Sequence, residues 1–131
     1  MKALLSIQLV EKPEDVLFKT SYEEQVKQYY PDVTHFSLDN FSQVSMIEYA
    51  LELVQRSESL LIVIESSNGE TSPNKLTSLI NHLVRKRFDN MKLIMLGEHP
   101  AMEKMGKALG EKFDFQPNKE KILLIADHLF S

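Results

Sequence analysis

Hydrophobic and polar positions repeat with two different periods along this chain, and the changes of period lay out its elements. In residues 2–10, Ala3, Leu5, Ile7 and Leu9 recur at every second position, while Ser6 and Gln8 fall between them. That is the pattern of a strand with one apolar and one polar face. The run Leu60-Leu61-Ile62-Val63-Ile64 is apolar throughout and rich in β-branched residues, as a parallel strand buried on both sides should be. Residues 92–96 predict a second central strand. Residues 33–38 and 112–116 are shorter strands, the last half-polar and suited to a sheet edge.

Between the strands the period becomes helical. Ser21-x-x-Glu24 has the form of a capping box, and Tyr22, Val26 and Tyr29 recur at helical spacing until Pro31 stops the helix. Asp39 or Asn40 can cap a helix over 41–56, with a core stripe of Phe41, Val44, Ile47, Leu51 and Val54 and a second apolar flank of Met46, Tyr49 and Leu53. Ser72-Pro73 is a helix start, followed by the stripe Leu76, Leu79, Ile80, Leu83, Val84 and Phe88. Asp89-Asn90 ends that helix. Gly97-Glu98-His99-Pro100 turns into a helix over 101–110. Asn118 caps the last one, 119–130, where Ile122, Leu123, Ile125, Ala126, Leu129 and Phe130 point inward. Residues 11–20, with Pro13 and Val16-Leu17-Phe18, fit either a long loop or an extra helical turn.

The expectation is one α/β domain over 1–131: a three-layer α/β/α sandwich around a five-stranded, mostly parallel sheet. The order 2-1-3-4-5 puts the two most apolar strands inside. The polar face of the first strand sits awkwardly with that central place.

Composition narrows the function classes. The chain has 131 residues, 43% hydrophobic and 26% charged, values of an ordinary globular domain, so disorder is not expected. It has no cysteine, which removes disulfides, thiolate nucleophiles and zinc knuckles and agrees with a cytoplasmic setting. The first ten residues superficially resemble a signal peptide, but Ser6 and Gln8 interrupt the apolar run and no small-residue cleavage site follows. No stretch is long and apolar enough for a membrane span. The net charge is −4, without the basic footprint of nucleic-acid binding. The one basic cluster, Arg85-Lys86-Arg87, falls at a helix end, where cations complement the dipole.

Open parallel sheets bind ligands beyond the carboxyl ends of their strands. That rule nominates Val10, Glu11, Asp39, Asn40, Glu65, Ser66, Ser67, Asn68, Gly97, Glu98, His99 and Gln116. Glu65 directly follows five apolar strand residues, so its carboxyl could be partly desolvated and serve as a general acid or nucleophile; alternatively it faces solvent or accepts backbone amides. Glu98-His99 could be an acid–base pair or a helix cap. Asp39 reads as a cap. Ser66 and Ser67 could bind phosphate, but no G-x-S-x-G elbow surrounds them and turn roles are favoured. Asn68 belongs to the same turn. His35, His82 and His128 are scattered without an i, i+4 partner, so no metal site is expected, and no Walker or G-x-G-x-x-G loop implies a cofactor.

The (βα)₅ plan resembles response-regulator receivers and flavodoxins. A receiver would place an acidic pair after the first strand, an aspartate at the end of the third and a lysine after the fifth. Here the first strand ends Leu9-Val10-Glu11, the third ends in Glu65, and Lys119 follows Pro117. A flavodoxin's phosphate loop is replaced by the acidic Glu11-Lys12-Pro13-Glu14-Asp15. Residues 60–130 are also similar to STAS domains, the alternative fold, in the order strand, serine-containing turn, helix, strand, helix, with Glu70-Thr71-Ser72-Pro73 in place of that family's Asp-Ser-Ser-Gly-like turn. A resemblance to deoxyribosyltransferases would imply Glu65 or Glu98 as nucleophile. Two expectations of function follow. One is a non-enzymatic interaction or regulatory module, forming a homodimer or meeting a protein partner through helix 41–56 or 119–130. The other is a small-molecule site for a nucleotide- or sugar-like ligand, built on Glu65, Glu98 and His99.

Overall fold

Each predicted strand finds parallel partners. The computed structural model describes residues 1–16, 22–67, 69, 71–85 and 89–131, without the side chain of Val84. The elements run β1 (Lys2–Leu9), α1 (Glu23–Tyr29), β2 (Thr34–Asp39), α2 (Val44–Arg56), β3 (Ser59–Ser66), α3 (Leu76–Arg85), β4 (Met91–Leu96), α4 (Pro100–Lys107), β5 (Phe113–Phe115) and α5 (Lys119–Phe130). The sheet is entirely parallel in the order β2-β1-β3-β4-β5, with helices on both sides. This is a flavodoxin-like α/β fold. Among the described residues no helix is long and apolar enough to cross a membrane.

Period-two alternation divides the core. Ala3, Leu5, Ile7 and Leu9 of β1 join Leu60, Ile62 and Ile64 of β3 under α2, α3 and α4. Leu4 of β1, with Leu61 and Val63 of β3 and Ile94 of β4, packs under α1 and α5. Burying one such aliphatic side chain contributes roughly 1.5–3 kcal/mol. β1 is central despite Ser6 and Gln8, and both are buried. They are tolerated because they have partners: the Tyr22 hydroxyl donates to Ser6 Oγ at 3.0 Å, and Gln8 also has an interaction partner.

Several boundaries depart from expectation for local reasons. Helix α2 begins at Val44, after Gln43, rather than at 41. Asp39 Oδ1 accepts from the Phe41 amide at 2.7 Å, and the Asp39 amide donates to Ser42 Oγ at 3.0 Å. This turn keeps 39–42 out of the helix, so neither Asp39 nor Asn40 is its cap. Phe41 and Val44 therefore leave the expected core stripe and are exposed. Helix α3 begins at Leu76, because Asn74 takes φ +50°, a left-handed conformation that asparagine tolerates. In the first helix Tyr22 and Val26 are buried, but Tyr29 is exposed. Residues 13–15 form a single 3₁₀ turn. The expected capping serine Ser21, and with it residues 17–20, Glu70, Phe88 and the second and third members of Arg85-Lys86-Arg87, lie outside the described residues.

The two faces proposed for partners fare differently. Ile122, Ile125, Ala126, Leu129 and Phe130 of α5 are buried in the monomer, leaving Leu124 outside. On α2, Leu53 is buried, whereas Met46 and Tyr49 are exposed, with Tyr49 against Phe36 at a ring distance of 5.0 Å.

Candidate functional site

The strand order reverses between β1 and β3, and a cleft of 260 Å³ opens there at the carboxyl ends. It is lined by Gln8, Leu9, Val10, Asp15, Glu65, Ser66, Ser67, Leu96 and Gly97. The register explains its floor. Gln8 lies opposite Asp39 on one side and Glu65 on the other, and Glu65 lies opposite Leu96. Partners in a parallel ladder point the same way, so Gln8, Glu65 and Leu96 share the α1/α5 face of the sheet. Asp15 reaches the cleft from the 3₁₀ turn after β1.

Glu65 is half-buried. Burial pushes its carboxyl above the ordinary range, and the negative charge of Glu23 pushes it further in the same direction. Among the described residues no group hydrogen-bonds that carboxyl. Ser67 is committed to the scaffold: its amide and its hydroxyl both donate to the Leu9 carbonyl, at 3.1 and 3.2 Å. Gly97 has φ +81°, and a Cβ there would stand 2.2 Å from the Ser66 carbonyl oxygen. Glycine is thus required where the β4 turn presses on the end of β3.

The other candidates do not converge here. His99 is buried; its Nε2–H donates to the Thr71 carbonyl at 2.6 Å, and its Nδ1 accepts from the Met102 amide at 3.2 Å. Both ring nitrogens are engaged in capping α4 and tying it to the loop before α3. Glu98 is exposed, and neither Glu98 nor His99 lines the cleft. Asp39 shapes the turn before α2. Asn68 lies outside the described residues. Of the predicted set, the cleft thus gathers Val10, Glu65, Ser66, Ser67 and Gly97.

Two further clusters stand out, and only the second was unforeseen in the sequence. The first is Asn40, whose side chain accepts from the Val10 amide at 2.9 Å and donates to the carbonyls of Val10 and Ser72 at 2.9 and 3.1 Å. It pins three loops beside a second cleft of 430 Å³, lined by Val10, Glu11, Asn40, Phe41, Thr71, Ser72 and Asn74. The second lies beneath the Glu65 cleft. His35 Nε2 is 3.1 Å from Ser6 Oγ, 3.3 Å from Ser37 Oγ and 3.5 Å from Glu23 Oε1. Glu23 is only 2% exposed. Burial pushes the His35 imidazole below its ordinary range, against the opposing pull of Glu23. A serine, a histidine and a glutamate meet here, but not as a nucleophilic triad. Serine and carboxylate address the same ring nitrogen, and Ser6 is buried beyond a substrate's reach.

Among the described residues no cluster of histidine and carboxylate groups is disposed to hold a metal ion. Comparison of the chain with models of protein families, with curated proteins and with solved structures finds no match.

Proposed function

We propose that this protein is a small regulatory module, non-enzymatic, whose ligand is a compact cation taken up in the cleft between β1 and β3. One observation carries the reading: Glu65 presents a partly desolvated carboxyl, free of hydrogen bonds from the described residues, inside a cleft at the switch of strand order. An ammonium or amidinium group supplies the charge-assisted hydrogen bonds that such a carboxylate lacks. Asp15 adds a second acidic group and Gln8 an amide, and the described lining contains no lysine, arginine or histidine. A phosphate would meet like charge there. Binding is favoured over catalysis because the expected acid–base partners of Glu65 are elsewhere: His99 caps a helix and Glu98 lies outside the cleft.

The test is a titration of the ¹⁵N-labelled chain with putrescine, and separately with inorganic phosphate. Putrescine should shift the amides of Gln8, Leu9, Ser66 and Gly97, phosphate should not, and Glu65→Gln should abolish the putrescine response. Phosphate shifts at those amides, or an unaltered putrescine response in Glu65→Gln, would overturn the reading.

A second reading, a protein-interaction surface, is favoured by the outer face of α2. Val44, Met46 and Tyr49 are exposed there, with Phe41 in the turn just before it, beside a groove of 610 Å³ between α2 and α3. Sedimentation of the full chain tests its self-association form: a concentration-independent monomer counts against a homodimer through α2.

A further inference from the structure

The buried cluster under the cleft is joined to it by Glu23, which faces both ways. It stands at the first position of α1, within 3.5 Å of His35 on β2, and its charge is felt by Glu65 on β3. Resting on the cation reading above, we propose that Glu23 links proton uptake at His35 to occupancy of the cleft. With His35 neutral, Glu23 and Glu65 together attract a cation; a proton on His35 offsets Glu23 and weakens that attraction.

The hydrogen bonds around His35 admit both states. The Tyr22 hydroxyl donates to Ser6 Oγ, which leaves the Ser6 hydroxyl proton available to a neutral His35 Nε2 at 3.1 Å. Ser37 Oγ is a second donor at 3.3 Å. When Nε2 carries a proton it becomes a donor, and Glu23 Oε1 is the charged acceptor beside it. The groups acting on His35 come from each neighbouring element: Glu23 and Lys27 from α1, Tyr22 just before it through Ser6, Ser6 from β1 and Ser37 from β2. Lys27 opposes protonation and Glu23 favours it. Glu65 is the second group that acidification discharges. Both proton uptakes act in one direction: they lower the negative charge that the ligand meets, so the cleft empties as pH falls.

The experiment follows the His35 ring and the Glu65 carboxyl carbon by NMR across a pH titration of the ligand-free full chain, in the native sequence and in Glu23→Gln. In the native chain each signal should show an inflection at the other's midpoint, the mark of coupled sites. In Glu23→Gln both midpoints should move down: His35 loses its carboxylate partner and Glu65 loses a like charge. Independent single-step curves in the native chain overturn the proposal even if the variant fails to fold, and an unmoved Glu65 midpoint in a folded variant does so as well. A second arm measures putrescine affinity on either side of the His35 midpoint. At least a tenfold loss on the acid side supports the linkage. A pH-independent affinity overturns the linkage while the cation reading stands. Coupled titrations without any putrescine binding overturn the cation reading and leave the proton coupling supported.

Discussion

Strand β1 offers Ala3, Leu5, Ile7 and Leu9 to the layer beneath α2, α3 and α4, and Leu4, Ser6 and Gln8 to the layer beneath α1 and α5. Strand β3 continues the contrast: Leu60, Ile62 and Ile64 on the first side, Leu61, Val63 and then Glu65 on the second. The first layer is aliphatic along its strands, and its buried polar groups Asn40, Thr71 and His99 belong to the loops at their carboxyl ends. The second mixes apolar and polar side chains: beside Leu4, Leu61, Val63 and Ile94 it holds the group formed by Ser6, Tyr22, Glu23, His35 and Glu65. The dry layer, with the larger of the two apolar clusters, contributes much of the fold's stability. The polar layer uses part of that stability to hold groups which would be better solvated elsewhere.

The largest expected effect that tests this division is in the dry layer. Ile62→Ala, at a fully buried position, should cost about 2–5 kcal/mol in urea denaturation and leave the His35 titration unchanged. If the titration moves with it, the layers are not separable. Next comes the seam that shapes the cleft. Gly97→Ala forces a Cβ against the Ser66 carbonyl at positive φ and should cost about 1–3 kcal/mol; a neutral result would show that the turn relaxes freely. In the polar layer, Tyr22→Phe removes the donor to Ser6 and should cost only about 0.5–1.5 kcal/mol, with His35 perturbed.

The smallest effect carries a sign. Glu65 has a raised carboxyl in the folded chain, so its contribution to stability is present below the unfolded carboxylate range and is lost as pH rises through the folded midpoint. Glu65→Gln should therefore match the native chain in acid and unfold at a slightly higher temperature near neutrality, while losing the ligand. His35 works oppositely. Its imidazole is lowered on folding, so its contribution is present above the unfolded histidine range and lost as pH falls through the folded midpoint. His35→Gln should flatten the loss of stability between neutral and mildly acidic pH, read as melting temperature against pH.

The dry layer was legible in the sequence because it is written in local periodicity. The apolar runs 60–64 and 92–96 mark β3 and β4 as inner strands and agree with the order β2-β1-β3-β4-β5, whereas the alternation in β1 spoke against its inner place. The cleft was legible in part. Glu65 stands out as a carboxylate directly after an apolar strand, and the end of β3 is where open parallel sheets place sites. The pairing of Glu23 with His35 was not legible. The two belong to different elements, and nothing in the spacing of a helix-start glutamate and an edge-strand histidine brings them together. Ser6 and Gln8 were the one hint, since polar residues in a central strand need buried partners. His99 misled for a related reason: before Pro100, a histidine cap and a catalytic histidine read alike. The start of α2 was misread because the Asp39–Ser42 turn competes locally with the helix.

The most direct measurement of the central claim, that the polar layer is the working end of the molecule, is the putrescine titration of the labelled chain at neutral pH beside Glu65→Gln. Shifts confined to Gln8, Leu9, Ser66 and Gly97, and absent in the variant, are the predicted result. Shifts centred instead on Val44 and Leu51 of α2, or shifts that persist unchanged in Glu65→Gln, would contradict it.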